Sequence, residues 1–148
     1  MKNIVAFLLL AAAGAAADSG YHAQFVGGTL AGVPAKSGAE LILTAPDALI
    51  FECRGQTLNI GYSKIDTLEY GQTVSRRYAA ALLISPIFLF TKSRQHFVTI
   101  GYMDAEGKQQ ALVFRVEKGD IRSVLTTLEA RSGRRVEYQD DEARRTGK

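Results

Sequence analysis

The sequence is poor in the residues that usually build catalytic and metal sites. It has one cysteine, Cys53, and two histidines, His22 and His96, in 148 residues. A lone cysteine excludes an intramolecular disulfide, and its apolar surroundings predict a small buried side chain. The histidines stand far apart with no cysteine nearby, so the sequence signals neither a zinc site nor a cysteine–histidine pair. We therefore expect no catalytic residues, no metal and no cofactor.

Acidic pairs and glycine-rich loops add no catalytic signal. Asp104 with Glu106 lies in a predicted hairpin turn, and residues 140–142 lie in a predicted polar tail. Neither position offers the dry, fixed setting that tunes acid–base groups. Gly27-Gly28 is not followed by a phosphate-loop pattern. The sequence therefore predicts a protein that is not an enzyme.

The N terminus has the layout of a secretory signal peptide. Lys2 precedes a short apolar segment at residues 4–10, and residues 11–17 are small and end in Ala15-Ala16-Ala17. This layout predicts cleavage after Ala17 and export to the periplasm or the extracellular space. Lys2 is the one charged residue removed, so the formal net charge falls from +3 to +2. Such a weak bias, in an exported protein, does not indicate a nucleic-acid partner.

No apolar run in the remaining chain is long enough to span a bilayer. The most apolar stretch, residues 79–90, has 12 uncharged residues. As a helix it would be about 18 Å long, against about 30 Å of hydrocarbon. Pro86 follows Ser85 and disfavours a single helix, so we expect two short apolar legs with a bend. Four basic residues flank the stretch: Arg76, Arg77, Lys92 and Arg94.

Three interpretations of this apolar stretch remain open. Its legs could fill the protein's own core, pack against another protein or a second copy of the chain, or enter a membrane surface with the basic residues at the headgroups. Membrane association is placed slightly ahead of protein docking. Besides the four basic residues, the predicted contact residues are Leu82, Leu83, Ile87, Phe88 and Phe90.

The rest of the chain has strand-like patterns joined by turns. Alternation of polar and apolar residues, β-rich runs and Pro-Asp or glycine turns predict seven strands. These lie within residues 18–33, 40–44, 49–53, 57–62, 64–72, 96–103 and 110–117.

One amphipathic helix follows the predicted strands. Ile121, Val124, Leu125 and Leu128 share one face, with Asp120 as the expected N-cap and Gly133 as the left-handed C-cap. Val136 and Tyr138 are expected to add a short extended segment. Residues 139–148 contain one apolar residue, Ala143, and are predicted to form a disordered polar tail.

This order of elements resembles a pleckstrin-homology-like barrel, in which two bent antiparallel sheets are capped by a C-terminal helix. The segment from Glu40 to Tyr70 is similar to the opening hairpins of GRAM and bacterial pleckstrin-homology domains. It has a leucine-threonine, turn, leucine-x-phenylalanine hairpin and a tyrosine-x-x-isoleucine step, here from Tyr62 to Ile65. The segment from His96 to Gly133 is similar to the closing hairpin and helix of those families.

The resemblance implies one binding domain without catalytic machinery, over residues 18–138, of the kind that often serves as a lipid-headgroup or protein-docking scaffold. The apolar insertion at residues 79–90 and the export signal depart from the family pattern. Pro34 to Gly38 contains Lys36 as its one charge, so no basic lipid-binding loop can be mapped. Phosphoinositide binding is therefore not carried over.

Overall fold

A computed structural model describes residues 20–81, 94–139 and 141–147 of the chain. Most of the described elements are strands, and the predicted mainly β class with a helix after the strands is confirmed. A short 3-10 turn, Tyr62–Lys64, joins β4 to β5. The strands are β1 (Tyr21–Gly28), β2 (Gly38–Ile42), β3 (Ala48–Cys53), β4 (Gln56–Gly61), β5 (Ile65–Gly71), β6 (His96–Met103), β7 (Gln109–Val116) and β8 (Val136–Tyr138), and the helices are α1 (Arg76–Ala81), α2 (Ile121–Ser132) and α3 (Asp141–Gly147).

The described strands form one sheet in the order β4-β3-β2-β1-β7-β6-β5-β8. Strands β1 to β4 form one antiparallel meander and β5 to β7 form another, and β1 joins them by pairing with β7. The predicted short segment at 136–138 is an eighth strand, parallel to β5. Within the described residues, hydrogen bonding does not close the sheet, and β4 and β8 are its two edges.

Both meanders bury their inward side chains in one core. The ring of Phe51 on β3 packs at a tilt against Phe25 of β1 and Phe114 of β7, with 6.3 Å and 5.9 Å between the ring centroids. Phe51 and Phe114 are fully buried. Burial of a phenylalanine side chain contributes about 1.5–3 kcal/mol. The contact across the two meanders therefore holds them together beyond the β1–β7 pairing.

Helix α2 closes this core along its predicted apolar face, and Ile121, Val124, Leu125 and Leu128 are all buried. Gly133 ends the helix with φ of +70° and donates its N–H to the Glu129 carbonyl, as predicted. Asp120 occupies the N-cap position, but its side chain makes no capping hydrogen bond, because its own backbone is already near-helical at φ −99° and ψ −16°.

The predicted disordered tail is wrong for residues 141–147, which form helix α3. Ala143 is fully buried, and Gly147 lies so close to Tyr138 and Leu125 that a β-carbon there would clash with them. Small residues allow close approach but contribute little hydrophobicity. For that reason the polar composition of the segment concealed its packing.

Candidate functional site

The apolar stretch belongs to an excursion between two adjacent strands. Strand β5 ends at Gly71, which pairs with Phe97 near the start of β6. The chain therefore leaves the sheet after Gly71 and returns to it at His96, at a single place. The same place receives the end of β7, because His96 pairs with Val116. We call this place the excursion edge; it is the end of the sheet where β5 and β7 end and β6 begins, and it is distinct from the two edge strands β4 and β8.

The first part of the excursion packs on the outer face of the sheet. Val74 and Ala79 are buried in a small cluster with Val26, Phe97 and Val113, separate from the main core. Phe97 and Val113 alternate along their strands with core-facing neighbours, so this cluster lies on the opposite side of the sheet. Ala79, the first residue of the apolar stretch, is 6% exposed. It is therefore buried, but in this outer cluster and not in the main core.

Most of the predicted contact residues lie outside the part of the chain that the structure describes. Arg76 begins α1, but its side chain lies outside the described part of the chain. The following predicted contacts also lie outside the described residues: Leu82, Leu83, Ile87, Phe88, Phe90 and Lys92. Arg77 and Arg94 are both described, and they line different cavities.

Arg77 is engaged within the protein. Its guanidinium lies 3.7 Å from the carboxylate of Glu69, donates to the Tyr78 hydroxyl at 3.2 Å and lies 4.8 Å from the centre of that ring. Glu69 is buried and also accepts from the side-chain amide of Gln139 at 3.1 Å. The Arg77 side chain is 68% exposed, so these contacts contribute little to stability, but they direct it toward its own sheet.

Arg94 lies in a cationic cavity of about 480 Å³ at the excursion edge. We call it the edge cavity. Arg115 near the end of β7 and Lys118 in the following loop also line it, and α3 contributes Thr146. Glu117 is the one carboxylate among the described lining residues, so these side chains have a formal charge of +2 when histidine is neutral. The contact residues predicted from the sequence included Arg94 but not Arg115 and Lys118, the other basic residues that line this cavity.

His96 also lines the edge cavity and is held from behind by Tyr70. The Tyr70 hydroxyl lies 2.6 Å from Nδ1 of His96, and the two rings are stacked at 6.0 Å. Tyr70 is fully buried and meets the Tyr138 ring edge-on. The alternation of residues 96–103 already placed His96 on the face of Val98, so the signal for its burial was present in the sequence.

Burial lowers the pKa of His96 from its usual 6.5, and Lys118 lowers it further, while Glu117 partly opposes them. The imidazole is therefore neutral at neutral pH and carries one N–H. When the Tyr70 hydroxyl donates to Nδ1, that hydrogen resides on Nε2. A neutral histidine in this state can donate one hydrogen bond to an acceptor.

The other reactive groups have structural roles. Cys53 is buried as predicted, its thiol donates to the Gly38 carbonyl at 3.3 Å, and burial raises its pKa. The Asp104 carboxylate accepts from the backbone N–H of Lys108 and of Glu106 and from the Gln110 amide, and these bonds, that of Lys108 foremost, lower its pKa. In residues 20–81, 94–139 and 141–147, no three potential metal ligands come together.

No protein-family model matches the chain, and no curated protein matches it significantly. None of the helices in the described part of the chain combines the length and apolar character needed to cross a bilayer. The edge cavity, lined by three basic residues and a buried histidine, is the strongest candidate site that the described residues form. Its chemistry suits the binding of an anion.

Proposed function

We propose that the protein is an exported, non-enzymatic binding module with a pleckstrin-homology-like, GRAM-like barrel. It associates peripherally with a membrane surface through the apolar stretch 79–90 and the basic residues around it. The sheet order supports the barrel, because two meanders joined by their first and last strands and followed by a helix are the arrangement expected for it. One core shared by both meanders is consistent with a curved sheet.

The observation that carries the membrane proposal is the shared position of the excursion and the edge cavity. The chain leaves the sheet after Gly71 and returns at His96, beside the cavity that Arg94, Arg115 and Lys118 line, and the apolar stretch lies between these two points in the sequence. An apolar insertion beside a basic cluster is the arrangement by which peripheral proteins bind anionic membranes. Arg94 is one of the residues that flank the stretch in the sequence, whereas Arg115 and Lys118 come from β7 and the loop after it.

Simple energetics favour the combination over either part alone. Three basic residues near an anionic surface contribute about 3 kcal/mol. Two phenylalanine side chains such as Phe88 and Phe90, each burying about 150 Å², would add about 7 kcal/mol. Association costs several kcal/mol in lost freedom of motion. With an association cost of about 4 kcal/mol or more, at most about 6 kcal/mol remains, which corresponds to a Kd of tens of micromolar or weaker, and neither contribution alone reaches it.

A second candidate is docking to another protein or to a second copy of this chain. Ala79 supports it in one respect, since the first residue of the stretch packs on an apolar protein surface, that of the chain's own sheet, rather than facing solvent. The two candidates differ in salt dependence. Membrane binding through basic residues weakens as salt rises, whereas apolar self-association does not.

The test is co-sedimentation of residues 18–148, which include every described element, with phosphatidylglycerol and phosphatidylcholine vesicles at low and high salt. We expect salt-sensitive binding to the anionic vesicles that is lost in a Leu83→Ser, Phe88→Ser double variant. Met103→Ser is the matched control, because Met103 is an exposed apolar residue at the opposite end of β6. Circular dichroism must show that each variant folds.

Absence of vesicle binding at any salt would refute the membrane proposal. Sedimentation equilibrium of the same preparation would then decide the second candidate. A dimer that dissociates in the double variant supports docking between copies. If the double variant unfolds while Met103→Ser does not, the legs belong to the protein's own core, and both proposals fail.

A further inference from the structure

We propose that the edge cavity is a binding site for a phosphate monoester group, with Arg94, Arg115, Lys118 and His96 among the residues that line it. All four residues lie in the described part of the chain. The site itself does not depend on membrane association. The source of the phosphate does depend on the proposed function: on a membrane it is a lipid headgroup, and in solution it is a small phosphorylated molecule.

The arrangement of charge in the cavity favours a dianion. The cationic residues come from three separate segments: the approach to β6, the end of β7 and the loop before α2. Glu117 leaves a formal excess of two positive charges among the described lining residues. A phosphate monoester carries about two negative charges at neutral pH and presents three acceptor oxygens. Guanidinium groups bind such oxygens through paired, charge-assisted hydrogen bonds.

His96 makes the site chemically more specific. From the loop after β7, Lys118 lowers the pKa of His96 and Glu117 raises it. Arg94 lies two residues before His96, and Arg115 lies on the neighbouring strand β7. The Tyr70 hydroxyl is hydrogen-bonded to Nδ1 of His96. In the empty cavity the desolvated imidazole is neutral. A bound dianion would favour the imidazolium, which can donate from both nitrogens, with the Tyr70 hydroxyl turning to accept. Phosphate binding and protonation of His96 are therefore coupled.

The chain offers an internal control for this coupling, because His22 is its one other histidine. His22 lies on β1 and lines a different cavity, with Glu40 and Glu52. Proton NMR of residues 18–148 would follow both imidazole resonances through a pH titration, with and without inorganic phosphate or glycerol 3-phosphate. A His22→Gln variant assigns them. We expect phosphate to raise the apparent pKa of His96, and not to move the His22 resonance at neutral pH.

Two variants test the cationic side chains by titration calorimetry with glycerol 3-phosphate. Arg115→Gln and Lys118→Gln should each lower the affinity about tenfold or more, the usual effect of losing a charge-assisted hydrogen bond. Lys108→Gln removes the same charge from the turn between β6 and β7 at the opposite end of these strands, and it should leave the affinity within about twofold. Lys118 is exposed in a loop, so its variant stays informative if Arg115→Gln fails to fold.

Vesicles then identify the source of the phosphate. Phosphatidic acid carries a monoester and phosphatidylglycerol carries a diester, so a lipid source predicts tighter binding to phosphatidic acid at equal surface charge, reduced by Arg115→Gln. Binding of glycerol 3-phosphate without vesicle binding would support the site and refute membrane association. An unchanged His96 resonance, with equal affinities in Arg115→Gln and Lys108→Gln, would overturn the phosphate site even if the protein binds vesicles through its apolar stretch.

Discussion

Replacing Tyr70 by phenylalanine tests whether the hydrogen bond behind His96 stabilises the fold. The variant removes one hydroxyl and keeps the ring, so the stacking on His96 and the edge contact with Tyr138 remain. The hydroxyl lies 2.6 Å from Nδ1 of His96, in a place where Tyr70 is 0% and His96 is 6% exposed. Water has little access to replace the lost partner.

The expected cost follows from this burial. A typical intramolecular hydrogen bond contributes about 1 kcal/mol net, but a buried nitrogen left without its partner costs about 1–3 kcal/mol. Tyr70→Phe should therefore lower the free energy of unfolding by about 1–3 kcal/mol. Domains of this size are stable by about 5–15 kcal/mol, so a loss of that size is readily measured.

Urea unfolding followed by circular dichroism at neutral pH gives the free-energy difference directly. Tyr78→Phe is the matched control, since its hydroxyl accepts an exposed bond from Arg77 and should change stability by less than about 0.5 kcal/mol. A Tyr70→Phe variant as stable as this control would refute the argument, because it would show that the Tyr70 hydroxyl contributes nothing to His96.

Three further predictions concern other parts of the fold. Because burial lowers the pKa of His96 below 6.5, the free energy of unfolding should fall as pH drops through 6.5, and His96→Gln should remove this dependence in urea titrations. Gly133→Ala should cost about 1 kcal/mol by the same method because φ is +70°, while Gly119→Ala, with open space around it, should cost less than about 0.5 kcal/mol. Ala143→Glu should detach α3 and speed C-terminal proteolysis, with the core melting transition nearly unchanged; uniform resistance to protease would contradict the packing of α3.

The sequence predicted those elements whose pattern is local. The alternating segment 96–103 and its partner run 110–117 match β6 and β7, and the apolar face of 121–128 matches α2. The α2 pattern reflects one buried face, which helix periodicity reveals directly, whereas β6 and the middle of β7 are buried on both faces. Gly107 likewise has φ of +77° in the predicted turn. Helix α3 escaped prediction because two small residues, Ala143 and Gly147, make its close contacts.

The edge cavity escaped prediction because its residues are distant in sequence, although a signal for it existed. The predicted hairpin centred on residues 104–108 fixes which residues of β6 and β7 face each other. In the structure this hairpin pairs Phe97 with Arg115 and His96 with Val116. The pairing brings Arg94, before β6, and Lys118, after β7, to the same end of the two strands. The register of one hairpin was therefore enough to assemble most of the cluster. The contribution of α3, through Thr146, could not be found this way.

Arg94 connects the two proposals made for this end of the sheet. It is the last basic residue flanking the apolar stretch in the sequence, and it also lines the edge cavity. Substitution of Arg94 would therefore affect both proposals at once. Arg115 reaches the same cavity from β7, which pairs with β1 and β6 and contains no part of the excursion. The phosphate site can thus be altered through Arg115 without changing the apolar stretch, and the stretch can be altered through Leu83 and Phe88 without changing the cavity's charges.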